Sequence, residues 1–461
     1  MRETIKEITE AVGGTLLCGS PDQVIEHISI DSRVSEGNDI FVPIIGAKVD
    51  AHRFIPNAFE AGCRAAFTSE HDSMNDPDHA WIRVDDTVEA LHALGCLCRS
   101  RVSVPAVGVT GSVGKTTTRE MIACALSAEK RVFKTGKNYN SSVGVPITMS
   151  QMDDSYDIAV LELGMNVPGE LGMISEIAKL KMAVITNVGV AHIEYFGTQE
   201  AICHEKLTIS KGFDKEGLLI LNGDDPLLYQ FRESTGYPYV LYGLSERCEY
   251  RGEHVRMENG HYCFDYVHGD KRVPVILSVL GEHNVRNALA ALAAAELSGV
   301  DPEKAAEALY SFTGFQNRLQ RIPMGDYLII DDTYNASPAS MIAGVRVLSG
   351  YEAKGKKIAV LGDMKELGPE TPRFHGEVGT AIAKEPIDEL LLVGEMAQYI
   401  GTEAKAAGAK WPIHVMESNQ AAAEYLEHSV KGGDVVYLKA SNCMHLKEIT
   451  AWLKEKQHTQ M

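Results

Sequence analysis

Long hydrophobic runs are absent from this chain of 461 residues. A helix needs about 20 consecutive apolar residues to span a bilayer, and no stretch of the sequence reaches that length. The first residues, Met-Arg-Glu-Thr-Ile-Lys-Glu, carry acids and lead into no apolar segment, so we expect no signal peptide. We therefore predict a cytoplasmic protein without membrane insertion.

Positive charge is scarce as well. The chain has 44 Lys and Arg against 63 Asp and Glu, which gives a formal net charge of −19 at pH 7. Proteins that bind nucleic acid or an anionic membrane surface use a positive field, and this chain has none in bulk. An anionic ligand must therefore be held by helix ends, a few basic side chains and metal ions. We expect small-molecule substrates and no nucleic acid.

The nine cysteines form no pattern. Their number is odd, they are scattered, and the only close pair is Cys96 and Cys98, without a second pair or histidines at zinc-binding spacing. This usage excludes a disulfide scaffold and is typical of reduced thiols in the cytosol.

The chain length and the pattern of predicted strands and helices predict three α/β domains. At about 150 residues per domain, the chain is too long for one core. Short β-rich pieces fill the first 100 residues, and apolar strands then alternate with longer helical runs, the pattern of a parallel sheet. A second such series begins near residue 320, after the predicted hinge "YSFTGFQNRLQRIPMG". We place the domains at 1–101, 102–314 and 315–461.

The stretch "GVTGSVGKTTTREMIACAL", residues 108–126, has the composition of a phosphate-binding turn. A strand precedes it and an amphipathic run follows, so N–H groups at a helix N-terminus would face a phosphate. Gly111 and Gly114 let the backbone approach closely, Lys115 can reach phosphate oxygens, and the Thr116 hydroxyl can ligate Mg²⁺. We predict mononucleotide binding. The guanine-reading Asn-Lys-x-Asp motif is absent, which argues against a GTPase.

Three further residues are candidates for catalysis or metal binding. Glu162 ends the apolar strand "YDIAVLELG", and His192 follows the next strand, "MAVITNVG". Adjacent strands of a parallel sheet point such residues at one crevice, where a carboxylate can meet a nucleotide-bound Mg²⁺. A solvated strand-end acid and a structural histidine remain the alternatives. Spacing alone would make Lys206 a helix-surface lysine.

Seven stretches in chain order are together similar to one family. They are "GVTGSVGKTTT", "NYNSSVGVP", "LELGMNVPGE", "ITNVGVAHIEYFG", "GEHNVRNALAALA", "IIDDTYNASPASM" and "VLGDMKELG". On these motifs the chain resembles the Mur ligases, ATP-dependent amide-forming enzymes of cytoplasmic peptidoglycan precursor synthesis. The resemblance implies a small α/β uridine-binding N-terminal domain, a central P-loop domain with a parallel sheet, and a C-terminal Rossmann-like domain that binds the incoming dipeptide.

The resemblance also implies roles for individual residues. ATP would be contacted by Gly111, Ser112, Val113, Gly114, Lys115, Thr116, Thr117, Asn284, Asn287, Arg318, Asp332 and Tyr334. Two Mg²⁺ ions would be bound by Thr116, Glu162, His192 and Lys206. Lys206 would be carbamylated, because an ammonium would repel the metal whereas a carbamate offers an anionic oxygen. The catalytic residues would be Lys115, His192, Lys206 and Arg318, and the UDP-linked substrate would contact Asp31, Ser32, Arg33, Asn138 and Asn140.

Within the family, "DDTYNASPASM" and "LGDMKELG" are the pattern of the member that joins D-alanyl-D-alanine to UDP-MurNAc-tripeptide through an acyl phosphate. The preceding ligase, which adds diaminopimelate or lysine, would show an Asp-Asn-Pro-Arg-type stretch, and the chain has none. That ligase, and a nucleotide-gated UDP-sugar binding protein without turnover, stay open as alternatives. We expect a monomer.

Some positions depart from the family pattern or have a simpler explanation. The usual Lys-Gly-Ser-Arg near the C-terminus reads Lys439-Ala440-Ser441-Asn442 here, so no arginine contact with the dipeptide carries over. At Lys206 the common Ala-Lys-x-Glu is replaced by Glu-Lys-Leu-Thr. Asn284 and Asn287 could cap the alanine-rich helix, Asp332 could be a turn acid, and "DSR" at 31–33 could be a loop without ligand.

Overall fold

The structure is a computed structural model, which describes residues 1–46, 48–136 and 138–460, with side chains to residue 457. The described residues contain three large sheets with strands at 15–83, 106–277 and 320–439. Helices flank each sheet, as the predicted α/β class requires. We call the three parts the N-terminal, central and C-terminal domains.

The N-terminal domain is a small α/β unit. Its elements are β1 (Glu3–Thr4), α1 (Ile5–Ala11), β2 (Thr15–Cys18), β3 (Val24–Ile25), β4 (His27–Ser29), β5 (Asp39–Phe41), α2 (Ile55–Ala61), β6 (Ala65–Thr68), β7 (Ala80–Arg83) and α3 (Thr87–Ser100). The described strands order as β2-β7-β6-β5-β4, parallel except for β2 with β7. Asp86 begins α3, because its carboxylate accepts hydrogen bonds from the N–H groups of Val88 and Glu89.

The central domain is built on the longest sheet. Its elements are β8 (Ala106–Thr110), α4 (Lys115–Leu126), β9 (Val132–Lys134), α5 (Gly144–Ser150), β10 (Ile158–Glu162), α6 (Glu170–Ala178), β11 (Leu180–Ile185), α7 (Ile193–Phe196), α8 (Gln199–Leu207), β12 (Phe213–Asn222), α9 (Pro226–Phe231), β13 (Tyr239–Gly243), β14 (Tyr250–Glu258), β15 (His261–His268), β16 (Lys271–Leu277), α10 (His283–Leu297) and α11 (Pro302–Tyr310). The described strands order as β16-β15-β14-β13-β12-β11-β8-β10-β9. Pairing from β9 to β14 is parallel, as predicted, and β15 and β16 extend the edge antiparallel.

The neighbouring strands β11, β8 and β10 position the chemistry. All residues of β8 and β10 are buried, so both strands lie inside the sheet with helices on each side. Because the three strands run parallel, their carboxyl ends meet at one edge. The phosphate turn, Glu162 and the loop that carries His192 follow directly at that edge.

The C-terminal domain repeats the α/β pattern. Its elements are β17 (Gln320–Met324), β18 (Tyr327–Asp331), α12 (Pro338–Gly350), β19 (Lys357–Gly362), α13 (Thr371–Ile382), β20 (Glu389–Val393), α14 (Ala397–Ala406), β21 (Ile413–Met416), α15 (Asn419–Ser429), β22 (Val435–Lys439) and α16 (Lys447–Gln460). The described strands order as β17-β18-β22-β19-β20-β21, parallel except for the β17–β18 hairpin. The predicted hinge therefore ends in a strand, because its last residues pair with β18.

The N-terminal and central domains share one hydrophobic core. Helix α3 approaches α5 so closely that a Cβ on Gly95 would lie 2.7 Å from the Cβ of Pro146. The buried Arg99 guanidinium donates to the carbonyls of Ala178 (2.7 Å) and Lys179 (3.1 Å) at the end of α6. The C-terminal domain has its own core on both faces of its sheet, against which Val190 of the central domain packs.

Two predictions about the whole chain can be compared with the structure. All nine cysteines are free. Among the helices of the described residues, none combines the length and apolar character that a bilayer span requires.

Candidate functional site

The phosphate turn connects β8 to α4 without a side-chain cap. Gly111 (φ 152°) and Gly114 (φ 85°) adopt backbone conformations that L side chains rarely take. A Cβ on Gly111 would lie 1.8 Å from the Thr186 hydroxyl, so only glycine fits there. Helix α4 begins at Lys115, and its first N–H groups and dipole give the turn the character of an anion site.

Two residues that the sequence analysis missed hold this turn in place. The Thr186 hydroxyl donates to the Val113 carbonyl (2.6 Å). The Asn187 side chain accepts from the Val113 N–H (3.0 Å) and donates to its carbonyl (2.9 Å), and its main chain accepts from the Ser112 N–H (3.1 Å). Asn187 lies in the quoted stretch "ITNVGVAHIEYFG", which was the available signal.

Glu162 is buried, so a solvated strand-end acid is the wrong interpretation. Its Oε1 accepts from the Thr116 hydroxyl (3.2 Å) and the Asn140 amide (2.8 Å). Its Oε2 lies 3.4 Å from Nη1 of Arg119, a fully buried guanidinium of α4 that sequence reasoning did not single out. A hydroxyl beside a carboxylate at a phosphate turn is the hard-oxygen donor set that Mg²⁺ prefers, so these residues fit the ion.

The amines of Lys115 and Lys206 lie near each other beside the phosphate turn. Lys115 Nζ donates to the Gly111 carbonyl (2.8 Å), and burial lowers the pKa of Lys115. Lys206 is 1% exposed, so the helix-surface interpretation is wrong. The amine of Lys206 lies 3.8 Å from the Met165 sulfur. Burial first, and Lys115 second, lower the pKa of Lys206 well below its usual range. An unprotonated amine is the form that can add CO₂, so the site suits a carbamate.

His192 faces the C-terminal domain. Its Nδ1 lies 2.8 Å from Oε2 of Glu366, in the loop after β19. Although the distance is that of an ion pair, this buried nitrogen has no hydrogen-bond partner. The pKa of Glu366 is lowered chiefly by the neighbouring His192. An imidazole nitrogen left in this state suits a metal ligand.

Arg318 reaches across from the segment between α11 and β17. Its Nη2 donates to the Thr116 hydroxyl (3.3 Å), and its guanidinium carbon lies 4.1 Å from the centre of the Tyr334 ring. Its Nε is buried without a partner. The guanidinium is thus held against the phosphate turn with an N–H still available to an anion.

Asp332 is more than a turn acid. Its Oδ2 accepts from the buried Lys439 amine (2.6 Å) and the Tyr437 hydroxyl (3.0 Å). Its Oδ1 accepts from the Leu319 N–H (3.3 Å), next to Arg318. Asp332 therefore fixes the chain next to Arg318 through Leu319. Asp332 is itself held by Lys439, 107 residues further along the chain, a contact that leaves no trace in local sequence.

The amides of α10 lie beside the phosphate turn. Asn284 donates to the Leu280 carbonyl (2.6 Å) ahead of the helix, and α10 begins without a side-chain cap, so the capping interpretation is wrong for this residue. Asn287 donates to Asn284 (2.8 Å), and its Oδ1 lies 3.2 Å from where a Cβ on Gly114 would be. Burial lowers the pKa of neighbouring His283, which therefore favours the neutral ring.

These groups surround one cavity of about 900 Å³ between the central and C-terminal domains. Of the predicted residues, it is lined by Ser112, Val113, Gly114, Lys115, Thr117, Asn140, Glu162, His192, Asn284, Asn287, Arg318, Asp332 and Tyr334. Gly111, Thr116 and Lys206 are not part of its lining. Its size suits a nucleotide with part of a second substrate.

The remaining predicted residues lie elsewhere. Asp31 and Arg33 form a two-bonded ion pair (2.7 and 2.8 Å) in a loop of the N-terminal domain. This pairing holds the pKa of Asp31 at about 2. Ser32 sits between them half-buried, and Asn138 is exposed. The structure does not bring these four residues to the cavity.

Comparison with known proteins gives a consistent result along the chain. Family models match as "Mur ligase family, catalytic domain" at residues 24–97, "Mur ligase middle domain" at 109–295, and "Mur ligase, glutamate ligase domain" at 317–442. The UDP-N-acetylmuramoyl-tripeptide--D-alanyl-D-alanine ligase of Bacillus subtilis is 37% identical over 460 residues, 99% of each chain.

Solved structures give the same picture. A MurF structure from Acinetobacter baumannii matches with a TM-score of 0.90 at 29% identity, over 99% of each chain. MurF ligase from Thermotoga maritima in complex with ADP matches with a TM-score of 0.82 at 29% identity, over 95% of this chain and 99% of the other. The fold and the phosphate turn define a nucleotide-dependent α/β ligase. The chain belongs to the Mur ligase family.

Proposed function

We propose that the protein uses ATP to join D-alanyl-D-alanine to UDP-MurNAc-tripeptide in peptidoglycan precursor synthesis. The observation that supports this proposal is the cavity in which the phosphate turn faces Arg318 and Asp332 of the C-terminal domain. The relative in Bacillus subtilis bears the name of this activity over its whole length, and the ADP complex of the Thermotoga relative supports ATP use.

The reaction requires two transfers in one water-free space. The free carboxylate of the tripeptide takes the γ-phosphoryl group of ATP, which releases ADP and leaves an acyl phosphate. The amine of D-alanyl-D-alanine then attacks the acyl carbon, loses a proton, and expels phosphate to form the amide. Contact between the two domains across the cavity excludes the water that would hydrolyse the acyl phosphate.

Individual residues divide this work by their positions. Lys115 and Arg318 face the transferring phosphoryl group and stabilise its charge. Thr116 and Glu162 would hold one Mg²⁺, and His192 with carbamylated Lys206 would hold a second. The ions, when bound, neutralise phosphate charge and align the reacting oxygens. Asn284 and Asn287 would contact the base, and Tyr334 keeps Arg318 in place.

The N-terminal contacts and the general setting belong to the same proposal. Asp31, Ser32 and Arg33 would bind the uridine diphosphate, and Asn138 and Asn140 would follow the substrate towards the cavity. We keep the domain limits at 101/102 and 314/315. We propose that the protein is a monomer. We also propose that it acts in the cytoplasm, because ATP and UDP-linked precursors are available there.

The alternative of the preceding ligase is less favoured. That enzyme would show an Asp-Asn-Pro-Arg-type stretch, and no such stretch occurs in this sequence. A binding protein without turnover would have no need for the fully buried amine of Lys206 beside the phosphate turn.

A phosphate-release assay tests the proposal. With ATP, phosphate release should require both UDP-MurNAc-tripeptide and D-alanyl-D-alanine, and a mass spectrum should show the pentapeptide product. Tripeptides with diaminopimelate or lysine at the third position should be compared in parallel. Release with UDP-MurNAc-dipeptide plus diaminopimelate or lysine would favour the preceding ligase, and binding without release would favour the binding protein.

A further inference from the structure

The contact between Glu366 and His192 joins two domains. Glu366 lies in the C-terminal domain, five residues before the start of α13 at Thr371, and His192 lies in the central domain just before α7. The two loops abut along their length: a Cβ on Gly368 would lie 3.4 Å from the Cβ of Glu194. Both Glu366 and His192 line the cavity that contains the phosphate turn.

Both residues are held in an unfavourable backbone conformation. Glu366 has φ 64° and His192 has φ 63°, in the left-handed region that residues other than glycine rarely adopt. Such strain persists where the surroundings fix it, and it concentrates at functional sites. The Glu366 loop is fixed on one side by the Met364 N–H, which donates to the buried ring of His375 (2.9 Å). Its Lys365 N–H donates to the Ser441 hydroxyl (2.9 Å).

The side chains of Glu366 and His192 are in direct contact across the domain boundary. Glu366 Oε2 and His192 Nδ1 are 2.8 Å apart, yet this buried nitrogen has no hydrogen-bond partner. A carboxylate oxygen and an imidazole nitrogen brought together in this way are a common pair of ligands for divalent ions. The side chain of Glu366 is 49% exposed, so it can rotate from the imidazole towards the cavity.

We propose that Glu366 is a metal-binding residue, supplied by the C-terminal domain to the ion site at His192. This inference rests on the proposed function, which places a divalent ion at His192. Because the two ligands belong to different domains, the ion is bound fully only when the domains are in contact. Ion binding and domain closure are then one coupled equilibrium, and each must strengthen the other by the same factor.

The experiment uses the full chain with a non-hydrolysable ATP analogue and Mn²⁺ in place of Mg²⁺. Electron paramagnetic resonance of free Mn²⁺ gives the dissociation constants of the ion sites, and the constant that changes in His192→Ala belongs to the site at His192. Small-angle scattering over the same Mn²⁺ series gives the midpoint of compaction. The variants are Glu366→Gln, Glu366→Asp and His192→Ala. Glu370→Gln is the matched control, because Glu370 is an exposed acid of the same segment that pairs with Arg373 (2.8 Å).

We expect Glu366→Gln to raise the dissociation constant of the site at His192 about tenfold or more, the scale for disturbing the shell of a metal site. The compaction midpoint should rise by the same factor, Glu366→Asp should recover part of both, and Glu370→Gln should change neither. An unchanged dissociation constant in Glu366→Gln overturns the proposal, whether or not compaction changes, because Glu366 would then be an ordinary interdomain acid.

Failure of the proposed function gives a different result. Neither readout needs the tripeptide or the dipeptide, so loss of ligase activity would leave both measurements intact. If His192→Ala and Glu366→Gln both bind Mn²⁺ like the unaltered chain, the ion site itself is misplaced. If only Glu366→Gln does so, the ion site stands and this inference alone is refuted.

Discussion

Replacing Arg318 by alanine should impair phosphoryl transfer far more than binding of the UDP-linked substrate. The guanidinium is pre-positioned: it donates to Thr116, lies on the Tyr334 ring at 4.1 Å, and keeps a buried Nε without a partner. Arg318 lines the cavity, whereas the N-terminal loop at 31–33 does not. We therefore predict that its partner is the transferring phosphoryl group.

The size of the effect follows from that placement. Loss of one preorganised charge stabiliser costs about 10² to 10³ in kcat, or about 2.7–4 kcal/mol of barrier. The change in the free energy of unfolding should be much smaller, about 0.5–1 kcal/mol for a cation–π contact near the surface. Arg318→Lys keeps the positive charge but loses the planar guanidinium group, so its kcat should lie between that of the unaltered protein and that of Arg318→Ala.

Single-turnover phosphate release separates these effects from substrate binding. Arg346→Ala is the control, since Arg346 is an exposed arginine of α12 that pairs with Glu385. The dissociation constant for UDP-MurNAc-tripeptide, measured by calorimetry, should be unchanged in Arg318→Ala. If that variant lost precursor affinity but kept normal turnover at saturation, Arg318 would belong to the substrate site and the reasoning would be wrong.

Three other predictions concern single residues. Lys115→Ala should lower turnover by about 10² to 10³; near-normal ATP consumption by the folded variant would contradict the phosphate-turn assignment. Lys206→Ala should be nearly inactive, and a short carboxylic acid should partly restore its activity. Lys211→Ala, which changes an exposed neighbour, should have normal activity. Full activity of Lys206→Ala in carbonate-free buffer would refute the carbamate hypothesis. Burial lowers the pKa of His375, so the unfolded chain binds more protons below about pH 6.5. The free energy of unfolding should therefore fall as the pH drops from about 6.5, by up to about 1.4 kcal/mol per pH unit, and urea titrations of His375→Gln should lack this component.

Local sequence predicts the features whose parts are close along the chain. Gly111, Gly114 and Lys115 lie within five residues, and their spacing between a strand and a helix was enough to predict the phosphate turn. Glu162 and His192 followed from one further rule, that parallel strands end at a common edge. Glu162 and His192 both line the cavity at that edge, as this reasoning predicted.

Contacts between distant segments could not be predicted in this way. Lys206 has the spacing of a surface lysine, but it is buried where α8 packs, with its amine near the Met165 sulfur. Asp332 is bound to Lys439, and His192 meets Glu366, across 107 and 174 residues respectively. No periodicity encodes such pairs. The first depends on the pairing of β18 with β22 within one sheet, and the second depends on how the central and C-terminal domains meet.

The shared core of the N-terminal and central domains has a consequence for substrate length. Gly95 against Pro146 and the Arg99 guanidinium on the end of α6 join the two domains through one core. If the loop at 31–33 binds the uridine diphosphate as proposed, the fold and not the ligand sets the distance from that loop to the phosphate turn. We then expect a UDP-linked peptide to bring its far carboxylate to Lys115 only when its number of residues matches that distance. A peptide that is one residue shorter should be a poor substrate even when its terminal group has the right chemistry.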